Sequence, residues 1–417
     1  MNLSNLSTSD ATKIITALKN GVVPNVSTDA LLAGREHEIA EISRCLKLAE
    51  KDHSIFKLIT GDYGSGKSML LHKVHLLSIE NNFVVSKIQL HQGFTLNKWE
   101  DMYRQVMHNL SIQNLDVINT GFEQIFDKWL TKLRTYTDST VASKEIHDVT
   151  SAISQLNGDF TRAFLAYIRA RIQNNGDAAN AASSWIKGET NMPASLKAQF
   201  GIKGQIDRTN ALSFLKTFVK LITLLNYQGL IILVDELESV MHQRSDIRQI
   251  IYENIRYLID GCSSNEFVNC MFVFVGTNEL FANEQRGIRS YEPLSQRLRS
   301  GFEHVPVEFR DLRQPVIQIP PLYKNDIDKL TNNIISIHSL AYYWNPNYEW
   351  ETIQNWALFN CRQGNELKFP INTRKYIQSI VDILDSLQQG KMMSIFKIPL
   401  QIIESSNNSF SFTNKRS

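Results

Sequence analysis

Residues 56–68 read FKLITGDYGSGKS. A short apolar run, 56–60, ends in Gly61-Asp62-Tyr63-Gly64-Ser65-Gly66-Lys67-Ser68, which fits the spacing G-x-x-x-x-G-K-[ST], and a helical pattern follows over about 67–78. Strand, glycine-rich turn and helix in this order make a phosphate cradle. The glycines let the backbone wrap closely enough for its N–H groups to face phosphate oxygens, and the following helix points its positive end at the same anion. In such a cradle Lys67 holds the β- and γ-phosphates and Ser68 ligates Mg2+, with Met69 next on the first helical turn. The expected ligand is therefore ATP with Mg2+.

Working outward, a phosphate cradle needs an acidic partner, and the apolar run LIILV at 230–234 ends in Asp235-Glu236. Both carboxylates fall at the C-terminal edge of a strand, where ligands sit in open α/β sheets. Asp235 is expected to support Mg2+ and Glu236 to polarise an attacking water as general base. Glu238 reads as surface. The next apolar run, MFVFV at 271–275, leads into Gly276-Thr277-Asn278. A strand there, between the two nucleotide-binding strands, makes Asn278 a candidate to orient the water; a plain turn residue is the competing reading.

The rest of the chain sets bounds. It has 417 residues, 43% of them hydrophobic, and Lys+Arg of 44 against Asp+Glu of 42, a net charge of +2. That is enough apolar material for two or three domains and too balanced a charge to signal nucleic acid in bulk, so any DNA contact has to be local. Cys45, Cys262, Cys270 and Cys361 show no CxxC or Cys/His ligand spacing, which argues against a zinc site or a disulfide scaffold. The N-terminus lacks a basic segment followed by an apolar stretch, and the 230–234 run is far too short to span a bilayer. A cytoplasmic, membrane-free protein is expected.

Strand 56–60, the turn, helix 67–78 and strand 83–90 open a parallel α/β sheet that resumes at 229–234 and 269–275. The long interval between is mostly of helical period and predicts a helical insertion over about 108–205. Helical patterns return at 327–340, 350–359 and 373–387 after Pro315, Pro320 and Pro321. The expected organisation is an N-terminal arm over 1–30, an α/β nucleotide-binding domain over 31–315, a helical lid domain over 316–390 and a polar tail over 391–417.

Taken in order, P-loop, acidic strand end, polar residue on the intervening strand and downstream arginines resemble the AAA+ ATPases over roughly 31–387. That resemblance implies a lid closing on nucleotide. Leu32-Ala33-Gly34-Arg35-Glu36 is similar to the family's segment bordering the base. Pro293-Leu294-Ser295-Gln296-Arg297-Leu298 is similar to the turn bearing the arginine finger, with Arg297 the first candidate and Arg299 the second. Asn372-Thr373-Arg374 opens the last long helix, where the family's second sensor arginine sits; Thr373 stands where the family usually has proline. An always-charged, forked guanidinium suits both roles.

The opening Ile14-Ile15-Thr16-Ala17-Leu18-Lys19-Asn20-Gly21-Val22-Val23-Pro24, Phe56-Lys57 before GDYGSGKS, Trp185-Ile186-Lys187-Gly188-Glu189, and Gly229 before LIILVDELE look like the ATP-binding proteins of BREX-type phage-defence systems. These phrases run through the insertion as well. The resemblance implies defence against foreign DNA, with other defence proteins as partners.

Three classes of function stay open: a self-assembling, ATP-hydrolysing motor or switch acting on DNA or partner proteins; a nucleotide-gated scaffold with little turnover; and an initiator-like DNA loader. The chain has only 30 residues after Leu387, too few for a DNA-reading winged helix. The set Asp235, Glu236, Asn278 and Arg297 favours hydrolysis over a pure binder. His72 and His75 read as helix-face packing residues. Trp99, Tyr103 and Met107, like Phe214, Phe218 and Leu221, read as core stripes. Arg286, Arg289, Arg297, Arg299, Arg310 and Arg313 read as a mixed solvated surface, with contact to DNA or a neighbouring subunit as the alternative.

Overall fold

Strands that are apolar on both faces need helices on both faces, and three such strands form the centre of this molecule. In a computed structural model that describes residues 6–26, 29–91, 93–113, 121–190, 192–302, 309–362 and 371–390, these are β1 (Ile55–Gly61), β4 (Leu230–Asp235) and β5 (Cys270–Thr277). β2 (Val84–Gln89), β3 (Leu110–Ser111) and β6 (Val316–Gln318) complete a six-stranded sheet in the order β3-β2-β4-β5-β1-β6. All pairs are parallel except β2 with the two-residue edge strand β3. This is a mixed α/β P-loop sheet with extensive helical additions, the expected fold class, and the antiparallel edge is new to it.

The helices, in chain order, are α1 (Thr8–Lys19), α2 (Glu36–Ala49), α3 (Lys67–Glu80), α4 (Trp99–His108), α5 (Phe122–Thr135), α6 (Ser139–Ser154), α7 (Gly158–Ile172), α8 (Gly176–Ile186), α9 (Ala194–Phe200), α10 (Ala211–Leu224), α11 (Ser245–Ser263), α12 (Glu279–Ala282), α13 (Glu292–Arg297), α14 (Lys324–Tyr342), α15 (Trp350–Asn360) and α16 (Thr373–Gln388). Period-two alternation sorts the sheet's side chains. Ile59, Ile231, Leu233, Met271, Val273 and Val275 pack with Ile42 and Leu46 of α2 and Leu70 and Val74 of α3. Phe56, Leu58, Ile232, Val234, Phe272 and Phe274 belong to the opposite core, which runs into the insertion through Tyr103, Phe126, Phe164, Phe214 and Phe218. The Tyr103–Met107 and Phe214–Leu221 stripes are thus core.

The predicted insertion interval holds β3 and α5–α9. It is anchored to α4, where the Tyr103 hydroxyl donates to the Ile186 carbonyl at 2.7 Å and Arg104 Nε to the Gly188 carbonyl at 3.1 Å.

Two compact units emerge: residues 34–321, which carry the sheet, and the described parts of 1–33 and 322–417. The described part of the expected N-terminal arm, α1, is therefore not separate. Its apolar face, Ala11, Ile14, Ile15 and Leu18, is buried, and α1 packs on α14 and α16. The sheet-bearing unit runs to 321 rather than 315 because β6 pairs with β1. The polar tail over 391–417 lies outside the described residues. No helix among the described residues is long and apolar enough to cross a membrane.

Candidate functional site

β1 delivers the chain to Gly61, and the turn that follows ends at Gly66, the cap of α3, with φ +96°. A Cβ at Gly66 would meet nothing within 4 Å, so glycine is needed there for its backbone angle and not for space. Among the described residues no side chain caps α3, and the first-turn amides of a helix are the groups that face an anion. Lys67 is buried, and its Nζ donates to the carbonyls of Gly61 at 2.9 Å and Asp62 at 2.8 Å. Ser68 and Met69 follow on the first turn, both half-buried, whereas Tyr63 is 68% exposed. Gly64 also takes a left-handed angle, φ +81°. Arg35, only 4% exposed, follows Gly34 (φ +72°) and donates from Nη2 to the Ser65 carbonyl at 3.2 Å and from Nη1 to the Gly34 carbonyl at 3.4 Å. It thus braces the loop from outside.

Because β5 lies between β1 and β4, the residue after it can reach the loop. Asn278 does so: its Nδ2 donates to Asp62 Oδ1 at 2.8 Å, and its Oδ1 accepts from Thr60 Oγ1 at 3.1 Å. Asp235 ends β4, two inter-strand spacings or about 10 Å across the sheet from β1. Its Oδ1 accepts the Glu236 backbone N–H at 2.9 Å. Glu236 is exposed and has φ +61°, an uncommon angle for a residue with a Cβ. It reverses the chain into a tight turn, 237–242, with Leu237, Val240 and Met241 buried.

Glu238 corrects the sequence reading. It is half-buried, not a surface residue, and its Oε2 is buried with no hydrogen-bond partner among the described residues. Burial raises its carboxyl above the ordinary glutamate range; the negative charge of Asp235 adds to the rise, while backbone amides and the Lys67 ammonium oppose it. Sequence reasoning passed over it because a charged residue in a turn is ordinarily solvated. The signal available was its spacing, with Leu237 and Val240 marking the inward face on either side.

The arginines divide. Arg297 forks onto Asp260 of α11, with Nε to Oδ1 at 2.9 Å and Nη2 to Oδ2 at 3.2 Å, and Nη1 donates to the Pro293 carbonyl at 3.0 Å. Arg299 is exposed at the next turn. Arg289, Arg310 and Arg313 pair with Glu284, Glu38 and Asp311, so four of the six arginines read as one cluster are engaged within the chain. Arg374 belongs to the other unit, on the first turn of α16; its Cδ lies 3.5 Å from where a Cβ on Gly21 would stand. His72 and His75 stack, and His75 Nε2 is 3.0 Å from Ser111 Oγ, in keeping with packing rather than metal binding.

The residues fit a magnesium-bound nucleoside triphosphate. The uncapped α3 terminus and the Lys67 ammonium suit phosphate, and the orphaned Ser65 hydroxyl lies in the same loop. Ser68 and Asp235 offer the hard oxygen donors that Mg2+ takes. No curated protein matches the chain. The family described as BREX system ATP-binding protein BrxC/D matches it over residues 6–398.

Proposed function

This chain belongs to the BREX system ATP-binding protein family, and from that premise we propose that it binds ATP with Mg2+ and hydrolyses it as an AAA+ switch or motor of phage defence. ATP binding, phage defence and partners among the other defence-system proteins come with the family; hydrolysis, Mg2+, self-assembly and action on DNA are the reading offered here. The carrying observation is the meeting, at one edge of the sheet, of the uncapped α3 terminus with Lys67 and the Asn278 amide that ties β5 to the loop. A pure binder needs the first; the second fixes a polar group where a water would be aligned.

When bound, Mg2+ would neutralise phosphate charge. Lys67 would exchange its contacts with the Gly61 and Asp62 carbonyls for phosphate oxygens, Ser68 and Asp235 would hold the metal, and Glu236 would take the proton of the attacking water. Gly34 and Arg35 border the base, and Arg374 acts as lid sensor. In an assembly of like subunits Arg297 reaches a neighbour's γ-phosphate, which requires it to leave Asp260; the exposed Arg299 is the alternative. A cytoplasmic location follows from this role.

ATP turnover across a protein concentration series, with and without double-stranded DNA, tests the reading. Turnover that rises faster than protein concentration and increases with DNA is the expected result. Lys67→Ala should abolish nucleotide binding, and Glu236→Gln should keep binding while losing turnover. One observation favours a second reading, a nucleotide-gated scaffold: in the single chain the guanidinium of Arg297 is held by Asp260. ATP binding without Glu236-dependent turnover at any concentration would select it.

A further inference from the structure

Nine buried side-chain polar atoms lack a hydrogen-bond partner among the described residues, and four of them belong to Ser65, Glu238, Ser239 and Thr277. These four sit where β1, β4 and β5 end: Ser65 in the loop after β1, Glu238 and Ser239 in the turn after β4, Thr277 as the last residue of β5. Burying a polar group without a partner is costly, and a carboxylate oxygen is the costliest of the set. Such atoms concentrate where a ligand or its water shell completes the bonding.

Geometry explains how Glu238 comes to be there. The left-handed angle at Glu236 brings the next turn back against the sheet. Gly276 lies beside it: a Cβ there would stand in ordinary contact with Glu238 Oε2, at 3.6 Å, and would clash with Leu280 Cδ1 at 2.3 Å. Asn278, two residues beyond Gly276, is already bonded to the loop. Lys67 supplies the nearby positive charge and Asp235 the negative one.

We propose that Glu238 is a catalytic carboxylate of the nucleotide site, accepting a hydrogen bond from the attacking water and holding that water beside Asn278. This rests on the hydrolysis reading above and adds the group that orients the nucleophile. In the step itself the water oxygen bonds to the γ-phosphorus, the bond to the β–γ bridging oxygen breaks, the proton passes to Glu236, and ADP departs with the bridging oxygen. Glu238 takes no proton.

The test compares wild type, Glu238→Ala, Glu238→Gln and Glu236→Gln in steady-state ATP hydrolysis, with ATP titration and thermal unfolding alongside. Loss of one hydrogen bond from a charged acceptor to the reacting water lowers kcat by about 10- to 100-fold in Glu238→Ala, with KM for ATP within about twofold. Glu238→Gln keeps an acceptor oxygen in the same volume and recovers most of that loss, whereas Glu236→Gln recovers none. Two results overturn the proposal: kcat within about twofold of wild type in Glu238→Ala, or parallel loss of kcat, ATP affinity and thermal stability in both Glu238 variants, which marks a structural role. Wild type without turnover would instead strike the hydrolysis reading, before any variant is compared.

Discussion

Asn278 joins three pieces of chain through one amide: the end of β5, Thr60 at the end of β1 and Asp62 in the loop. Because Asp62 accepts from its NH2 and Thr60 donates to its oxygen, the amide can sit only one way round. Asn278→Ala removes both bonds and should lower kcat at least about tenfold. Asn278→Asp should be worse for nucleotide affinity, since it sets a second carboxylate against Asp62; kcat and KM measured side by side separate the two effects. At this scale the glycine-rich turn between β1 and α3 was legible because its pattern is written in eight consecutive residues. The acidic strand end was readable for the same reason. Glu238 was not, because its burial depends on a left-handed angle at Glu236 that no local preference of glutamate predicts. The Asp260 partner of Arg297 lies 37 residues away on another helix, beyond anything a motif encodes.

β1 contains an oddity for a buried strand, a lysine. Lys57 is 3% exposed on its side chain and pairs at 2.8 Å with Glu41 of α2, itself 6% exposed. It also donates to the carbonyls of Leu312 and Gln314 at 2.7 and 2.9 Å, so this one ammonium ties the strand leading to the glycine-rich loop to α2 and to the segment entering β6. Lys57→Met leaves the Glu41 carboxylate its fork with Arg44, at 2.7 and 2.8 Å, and takes the ammonium donor from the Leu312 and Gln314 carbonyls; it should cost about 1–3 kcal/mol in denaturant unfolding, whereas the double change Lys57→Met with Glu41→Leu should recover part of the loss. A cycle in which the double variant is no more stable than the single one would contradict this account. The central strands were legible as elements from their unbroken apolar runs. The two-residue β3 was not, since it is too short to show a period, and β6 was missed because prolines at 315, 320 and 321 masked a strand only three residues long.

Acid should destabilise the whole molecule through its buried histidines. Burial, with nearby lysines adding for His72 and the positive field of His72 and Lys87 adding for His75, brings both down to about 4. In the helical unit burial also lowers His338. The Trp344 indole, which can only donate, bonds His338 Nδ1 at 2.8 Å, leaving Nε2–H to donate to Asp385 at 2.9 Å; Lys19 pairs with the other Asp385 oxygen at 2.6 Å. A proton on Nδ1 would break the indole bond. With an unfolded histidine titrating near about 6.5, the unfolded chain takes up protons first, so stability present above that pH falls as pH drops through 6.5 toward 4. Carboxylates with lowered values, such as Glu41 and Asp385, lose their share only below about 4.5. Denaturation midpoints between pH 7.5 and 5 should therefore decline in wild type and decline less in a His72→Asn, His75→Gln double variant. An unchanged slope would refute the assignment.

The pairing of α1 with α14 and α16 has a consequence in time rather than in space. About 300 residues separate the end of α1 from the start of α14, and a ribosome adding about 5–20 residues per second needs about 15–60 s to cross that gap. Throughout it, Ala11, Ile14, Ile15 and Leu18 have left the ribosome without the surfaces that finally cover them. The sheet-bearing unit, contiguous over 34–321, can complete itself during the wait. The helical unit, begun first, is necessarily finished last, and a nascent chain that stalls after β6 carries an uncovered apolar stripe for a chaperone to hold.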